Sequence, residues 1–190
     1  MRQFFDALLG RSRPLPSKTE RLFAMATAYV TLESQLGFKP GSQSGITFKP
    51  VESAYFDQMS GELNDLLTIS TKETGTQFKT LTDKYAYRWI VFSASQFEDL
   101  VATIHVVSEE LVANQFGEQL LAAVFRFTTG DGKPFYWLYN YKRGTFYPFV
   151  PSGDHGRDNA LELRLSSAME KELPMEAELE HWYPLWDIPF

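Results

Sequence analysis

Of the three histidines in this chain, His155 alone has acid and base groups at its shoulder. It lies in Asp154-His155-Gly156-Arg157-Asp158, where two carboxylates, an imidazole and a guanidinium fall together. An imidazole held by a carboxylate is the working unit of general acid–base catalysis and of many metal sites. One reading of the chain is therefore a small enzyme or ligand-binding protein using the 154–158 loop. Carboxylates beside a glycine are equally what a polar turn uses. His105 has Glu109 one helical turn away, an ordinary surface pair, and His181 falls in the tail. There is no G-x-S-x-G elbow, H-E-x-x-H pair, phosphate-cradling loop or dinucleotide fingerprint. With no cysteine there is no thiolate nucleophile, disulfide or thiolate metal site. The sequence favours a protein that is not an enzyme and carries no cofactor or metal.

Two other groups of residues suggest contact rather than catalysis. Lys142-Arg143-Gly144 reads as a tight turn that lifts two cations into solvent between aromatic strands. With Tyr147, Arg157, Asp158 and Asn159 it forms a candidate protein-interaction surface. The alternative for Arg157 is a structural pair with Asp158 or with an acidic helix. At the N-terminus, Phe4, Phe5, Leu8 and Leu9 make an apolar helical stripe beside Arg2, Arg11 and Arg13. That combination suits a peripheral contact with an anionic membrane or a partner's groove, or docking on the chain's own domain. Nucleic acid is not expected, because the net charge is −6 and the sequence pI about 5.1. Arg143-Gly144-Thr145-Phe146 also puts threonine where an RNA-binding strand of the RRM type needs an aromatic.

The elements that must position these groups follow from hydrophobic periodicity. Ser17 and Glu20 form a capping box opening a helix to about Leu36, with Gly37 as its stop. Residues 45–49 read as a short strand, and a second helix begins near Ser53, with Phe56, Met59, Leu63, Leu66 and Leu67 inward. Strands at about 77–82 and 85–93 meet at a tight turn at Asp83-Lys84. Ser95 and Glu98 form a second capping box, for a helix reaching about Asn114. Strands at 120–128, 135–141 and 145–150 follow. The first of these is apolar on both faces and belongs in the middle of a sheet, whereas Pro148 pushes the last to an edge or a bulge. Asn159 and Glu162 are placed to cap a final helix. Hairpins dominate over crossovers, which predicts an α+β fold: a mainly antiparallel sheet with helices packed on one face.

Three regions result: an amphipathic segment at 1–16, one α+β domain at 17–172, and an aromatic, proline-rich tail at 173–190. The tail's aromatic surface should be covered, against the domain or against a second copy in a homodimer. Charge is polarised, with Arg2, Arg11, Arg13, Lys18 and Arg21 at one end and five glutamates between Glu170 and Glu180 at the other. The two ends could attract one another or serve separate partners. No apolar run approaches the ~20 residues of a membrane span. MRQFFDALLG is too short and polar for a signal peptide. The expected location is the cytoplasm, with peripheral contact at the inner face of the membrane.

Several segments, in order, resemble one family: FFDALLGRS, ITFKPVE, FEDLVATIHVVSEEL, YKRGTFYPF, RDNALEL and WYPLW. The chain is similar to the PspA-associated family PspAB along nearly its whole length. The resemblance implies an accessory protein linked to PspA, the membrane-remodelling coiled-coil protein of the phage-shock envelope-stress response. It implies PspA or other envelope-stress proteins as partners and transfers no catalytic residue. In order of elements alone, the chain also resembles YbjN-like proteins and type III secretion chaperones, which bind other proteins.

Overall fold

The computed structural model describes residues 18–49, 61, 64–65, 67–69 and 75–190. The expected N-terminal stripe, residue Ser17 of the first capping box and most of the second helix lie outside them. Of that second helix, residues 64–65 and 67–69 are helical, and Leu67 is buried in the core as its spacing required.

The chain forms α1 (Lys18–Leu22), α2 (Met25–Ser34), β1 (Lys39–Phe48), β2 (Gln77–Thr82), β3 (Arg88–Ser93) and α3 (Phe97–Ala113). It continues with β4 (Leu120–Thr128), β5 (Pro134–Asn140) and β6 (Thr145–Phe149), then a small β7 (Pro151–Ser152) and β8 (Gly156–Arg157) pair. Helix α4 (Asn159–Met169) and a single 3₁₀ turn at Leu179–His181 precede the tail. The six larger strands make one sheet in the order β2-β3-β1-β4-β5-β6, antiparallel at every join. This is the α+β fold with an antiparallel sheet that the pattern of hairpins predicts. β4 is internal and β6, with Pro148, is at the edge.

Strand alternation divides the sheet's side chains between two apolar faces. Phe92, Phe125, Phe127, Phe135, Trp137, Tyr139 and Phe146 face the helices, against Leu22, Met25, Leu32, Leu100, Ile104, Leu165 and Met169. Trp89, Val91, Val124, Tyr136, Leu138, Tyr147 and Phe149 occupy the other face, where the tail lies across them. Trp182 is buried there, and Leu185, Trp186, Ile188 and Phe190 pack partly buried beside it. Tyr147 stacks on Trp182, with ring centroids 6.3 Å apart. The prolines hold the tail extended, so its carbonyls need outside donors. Tyr147 and Tyr136 supply two, donating to Tyr183 O at 3.1 Å and Phe190 O at 3.2 Å.

Several local expectations are corrected by tertiary contacts. The helix expected from Ser17 to Leu36 is interrupted at Phe23-Ala24. There the N–H groups of Phe23, Ala24 and Ala26 bond carbonyls three residues back, at 3.1, 3.2 and 2.9 Å. That tightening lets Leu22 and Met25 both enter the core while Phe23 stays exposed. β1 begins at Lys39 rather than at residue 45, because pairing with β4 extends through a bulge between Pro40 and Ser44. The β2–β3 connection is longer than a two-residue turn. One Asp83 carboxylate oxygen accepts from Tyr85 N and Tyr87 N at 2.8 and 3.0 Å, and the other from Trp89 Nε1 at 3.0 Å. The Ser95/Glu98 capping box does not form. Gln96 is the N-cap without a side-chain bond, and Glu98 accepts the Tyr29 hydroxyl instead. That hydrogen bond, with some burial, pushes the Tyr29 pKa up to about 12.

One glycine sets how closely the tail approaches. A Cβ on Gly45 would lie 2.9 Å from the Phe190 ring and 3.0 Å from Ile90 O. Gly45→Ala should therefore displace Phe190 and destabilise the protein by about 1–3 kcal/mol in chemical denaturation. Gly130→Ala, whose Cβ would meet nothing within 4 Å, should stay within about 0.5 kcal/mol of the parent.

Candidate functional site

The β5–β6 connection turns sharply through Asn140, whose carbonyl accepts from Gly144 N at 2.7 Å and Arg143 N at 3.2 Å. Gly144 has φ +72°, a conformation that side chains rarely take. Its missing Cβ also makes room for α1, since that atom would sit 3.2 Å from Lys18 Cγ and 3.5 Å from an Arg21 guanidinium nitrogen. The Tyr139 hydroxyl donates to Lys18 O, and Lys18 Nζ donates to Lys142 O at 2.6 Å. Burial pushes the Tyr139 hydroxyl pKa well above its ordinary value, so it stays a neutral donor. The start of α1 is thus fastened beside the turn.

On the other side, residues 174–176 run along the β6 edge. Phe146 N donates to Pro174 O and Glu176 N to Phe146 O, both at 2.8 Å. These bonds cover an edge that would otherwise offer unpaired backbone groups. They also bring the Glu176 carboxylate, 7% exposed, against the end of the sheet. Thr145 Oγ1 donates to it at 2.9 Å and Glu178 N at 3.2 Å, while His181 Nδ1 lies 3.4 Å and Arg143 Nε 3.7 Å away. Arg143 Nη2 is 2.7 Å from His181 Nε2. A guanidinium can only donate, so Nε2 accepts and the ring proton sits on Nδ1, toward Glu176. Burial pushes the Glu176 pKa up, but the Glu178 and Thr145 bonds, His181 and Arg143 together outweigh it and hold the pKa below its ordinary value. Asn140, Lys142, Arg143, Thr145, Glu176 and Tyr183 line a cavity of about 480 Å³ at this point.

The structure separates the residues singled out in the sequence. Lys142 and Arg143 are exposed on the turn. Tyr147 is not a surface residue, being 3% exposed beneath Trp182. Arg157 is likewise turned inward. Its Nε donates to Glu162 Oε1 at 3.0 Å, Nη2 lies 2.9 Å from Oε2, and Nη1 donates to Trp182 O at 2.6 Å. Glu162, 2% exposed, also accepts Val150 N at 2.8 Å. The helix cap expected from Asn159 and Glu162 is supplied by Asp158, which accepts Leu161 N at 2.9 Å. Glu162 is taken up by the buried pair instead, and Asn159 is exposed at the start of α4. Phe4, Phe5, Leu8, Leu9, Arg11 and Arg13 lie outside the described residues.

His155 sits at φ +56° in the β7–β8 turn, its side chain 60% exposed and that of its partner Asp154 fully exposed. Their 2.8 Å contact joins adjacent residues in solvent, and the ring rests 5.1 Å from Trp186. Arg157 is committed to Glu162 and Asp158 to the helix cap, so the loop's charged groups do not converge on the imidazole. His105 and Glu109 do not pair. Both reach Thr19, the ring through Nδ1 to its carbonyl at 3.2 Å and the carboxylate through its hydroxyl at 2.8 Å. Among the described residues no group of three or more His, Cys, Asp or Glu is arranged to hold a metal, and no helix is long and apolar enough to cross a membrane. Asn140, Thr145, Glu176, His181 and Tyr183 escaped the sequence reading. The one signal was the glutamate-rich stretch at 170–180, which does not show which glutamate turns inward.

Removing one partner of the Arg157–Glu162 pair leaves a buried charge. Arg157→Ala should cost about 3–5 kcal/mol in denaturant unfolding, and Arg157→Lys should recover only part of it because lysine lacks the planar fork. For Glu176, a folded pKa below the unfolded one gives stability that is present above the ordinary carboxylate range and lost as pH falls through the folded value. Glu176→Gln should destabilise by about 1–3 kcal/mol at neutral pH. The deficit should shrink in acid when unfolding is followed across pH.

No curated protein and no solved structure matches this chain. A family model, PspA associated protein B, matches residues 2–190. That span takes in the buried Arg157–Glu162 pair, the covered β6 edge and the cavity, and the chain belongs to the PspA associated protein B family.

Proposed function

We propose that this protein is a non-catalytic binding or adaptor protein that acts with PspA in the envelope, or phage-shock, stress response. The observation that carries the reading is the family match, which spans residues 2–190 and whose name links the chain to PspA. The arrangement of charged side chains supports it. Of the 154–158 loop, Asp158 and Arg157 are engaged in a helix cap and a buried ion pair, away from the exposed His155–Asp154 contact. Lys142 and Arg143 stand on an exposed turn fixed from both sides, a rigid cationic surface of the kind partner proteins recognise. The likeness in order of elements to secretion chaperones points the same way. In this reading the protein works in the cytoplasm. Its N-terminal stripe, Phe4, Phe5, Leu8 and Leu9 with Arg11 and Arg13, makes the contact with the inner face of the membrane or with a partner's groove.

Used as bait in cells under envelope stress, the full chain should recover PspA or its membrane-associated partners. Lys142→Glu combined with Arg143→Glu should reduce that recovery about tenfold or more, as charge reversal at an interface does. Deleting residues 1–12 should lower liposome binding with little change in melting temperature. Recovery of no PspA, or a large fall in melting temperature with liposome binding intact, would overturn the corresponding part.

A further inference from the structure

The charged side chains that line the cavity at the β5–β6 turn do not balance: among the described residues, Lys142 and Arg143 stand against Glu176. Lys18 and Arg21 approach Gly144 from α1, and Lys142 and Arg143 line the cavity itself, in a chain of net charge −6. Of these, Arg143 has a carboxylate partner, Glu176. Lys18 reaches a backbone carbonyl, and Lys142 and Arg21 have no ion pair among the described residues. That leaves the Lys142 ammonium without an ion pair among the described residues, beside Arg143 and able to meet an anion there.

We infer that this cavity binds a phosphate group. The volume, about 480 Å³, holds a phosphate and part of whatever carries it. Arg143 is set in advance, its Nε toward Glu176 and one terminal nitrogen on His181, and a guanidinium fixed before binding loses little freedom when it meets phosphate. Lys142, Asn140 and Tyr183 also line the cavity, and their side chains carry an ammonium, an amide and a hydroxyl as further donors. Four donor groups on four residues suit a tetrahedral anion better than a planar carboxylate, which one guanidinium satisfies edge-on. Among the described residues Glu176 is the one carboxylate lining the cavity, and its oxygens are occupied by Thr145, Glu178 N, His181 and Arg143. It orients the guanidinium and is itself shielded from the incoming charge.

The same phosphate chemistry could come from a soluble phosphate compound or from an anionic lipid headgroup, and two measurements on the purified full chain separate them. The first follows backbone amide resonances while inorganic phosphate replaces chloride at constant ionic strength. The second measures co-sedimentation with phosphatidylglycerol vesicles against phosphatidylcholine vesicles. Lys142→Glu reverses a charge at an exposed position, and Lys79→Glu makes the same change on exposed β2 at the opposite edge of the sheet. Saturable shifts at Lys142, Arg143 and Thr145, weakened about tenfold or more by Lys142→Glu and untouched by Lys79→Glu, support a soluble phosphate ligand. Vesicle retention with the same dependence on Lys142 and no response to inorganic phosphate supports the headgroup. Should Lys142→Glu unfold, Lys142→Ala serves with the same criteria. Absence of Lys142-dependent binding in both measurements overturns the inference, whether or not the chain captures PspA in cells.

Discussion

The structure depends on a sheet that is apolar on both faces. Helices cover one side, where Phe92, Phe125, Trp137 and Phe146 meet α2, α3 and α4. The other side carries Trp89, Val124, Tyr136, Tyr147 and Phe149, and α+β proteins with one layer of helices have nothing regular to place there. Each large apolar side chain left in water forfeits about 1.5–3 kcal/mol. The tail resolves this by lying extended over the second face, with Trp182 fully inserted. Gly45 belongs to the same solution, since it gives up a side chain so that Phe190 can rest on β1.

Laying an extended tail on a sheet creates a polar problem that the ion pairs answer. A proline-interrupted strand cannot satisfy its own carbonyls. Arg157 serves Trp182 O while neutralising Glu162, and Glu162 in turn accepts Val150 N at the end of β6. One buried pair therefore joins β6, α4 and the tail. Buried pairs contribute little net stability, but each half makes the other indispensable. That accounts for an arginine that resembles a surface contact in the sequence and is structural in the fold.

The cavity at the β5–β6 turn is a by-product of the same economy of edges. β6 is covered by residues 174–176, a step that carries Glu176 and His181 to the tip of the sheet. α1 is fastened there from the opposite side by Tyr139 and Lys142 O. The basic beginning and the acidic end of the described chain thus converge on one turn. Arg143 is held between Glu176 and His181 while Lys18, Arg21 and Lys142 remain outside that network.

Much of this was legible from residue types alone. Period-two alternation with phenylalanine and tyrosine marks β4, β5 and β6, and apolar residues on both faces place β4 inside the sheet. Pro148 places β6 at the edge, because a strand that lacks a donor is tolerated there. The residues matched to the family also showed themselves in order along the chain. What the sequence left open are choices between near-equal local options. Asp158 or Asn159 can cap a helix, Glu98 can cap or accept from Tyr29, and any of five glutamates can face inward. Such choices differ by about 1 kcal/mol locally. They are decided by contacts between residues far apart in the chain, as between Lys18 and Lys142, 124 positions away. The alternation of side chains is a local property of the backbone and can be read directly. The pairing of buried charges depends on which surfaces folding brings together, and tertiary structure alone decides it.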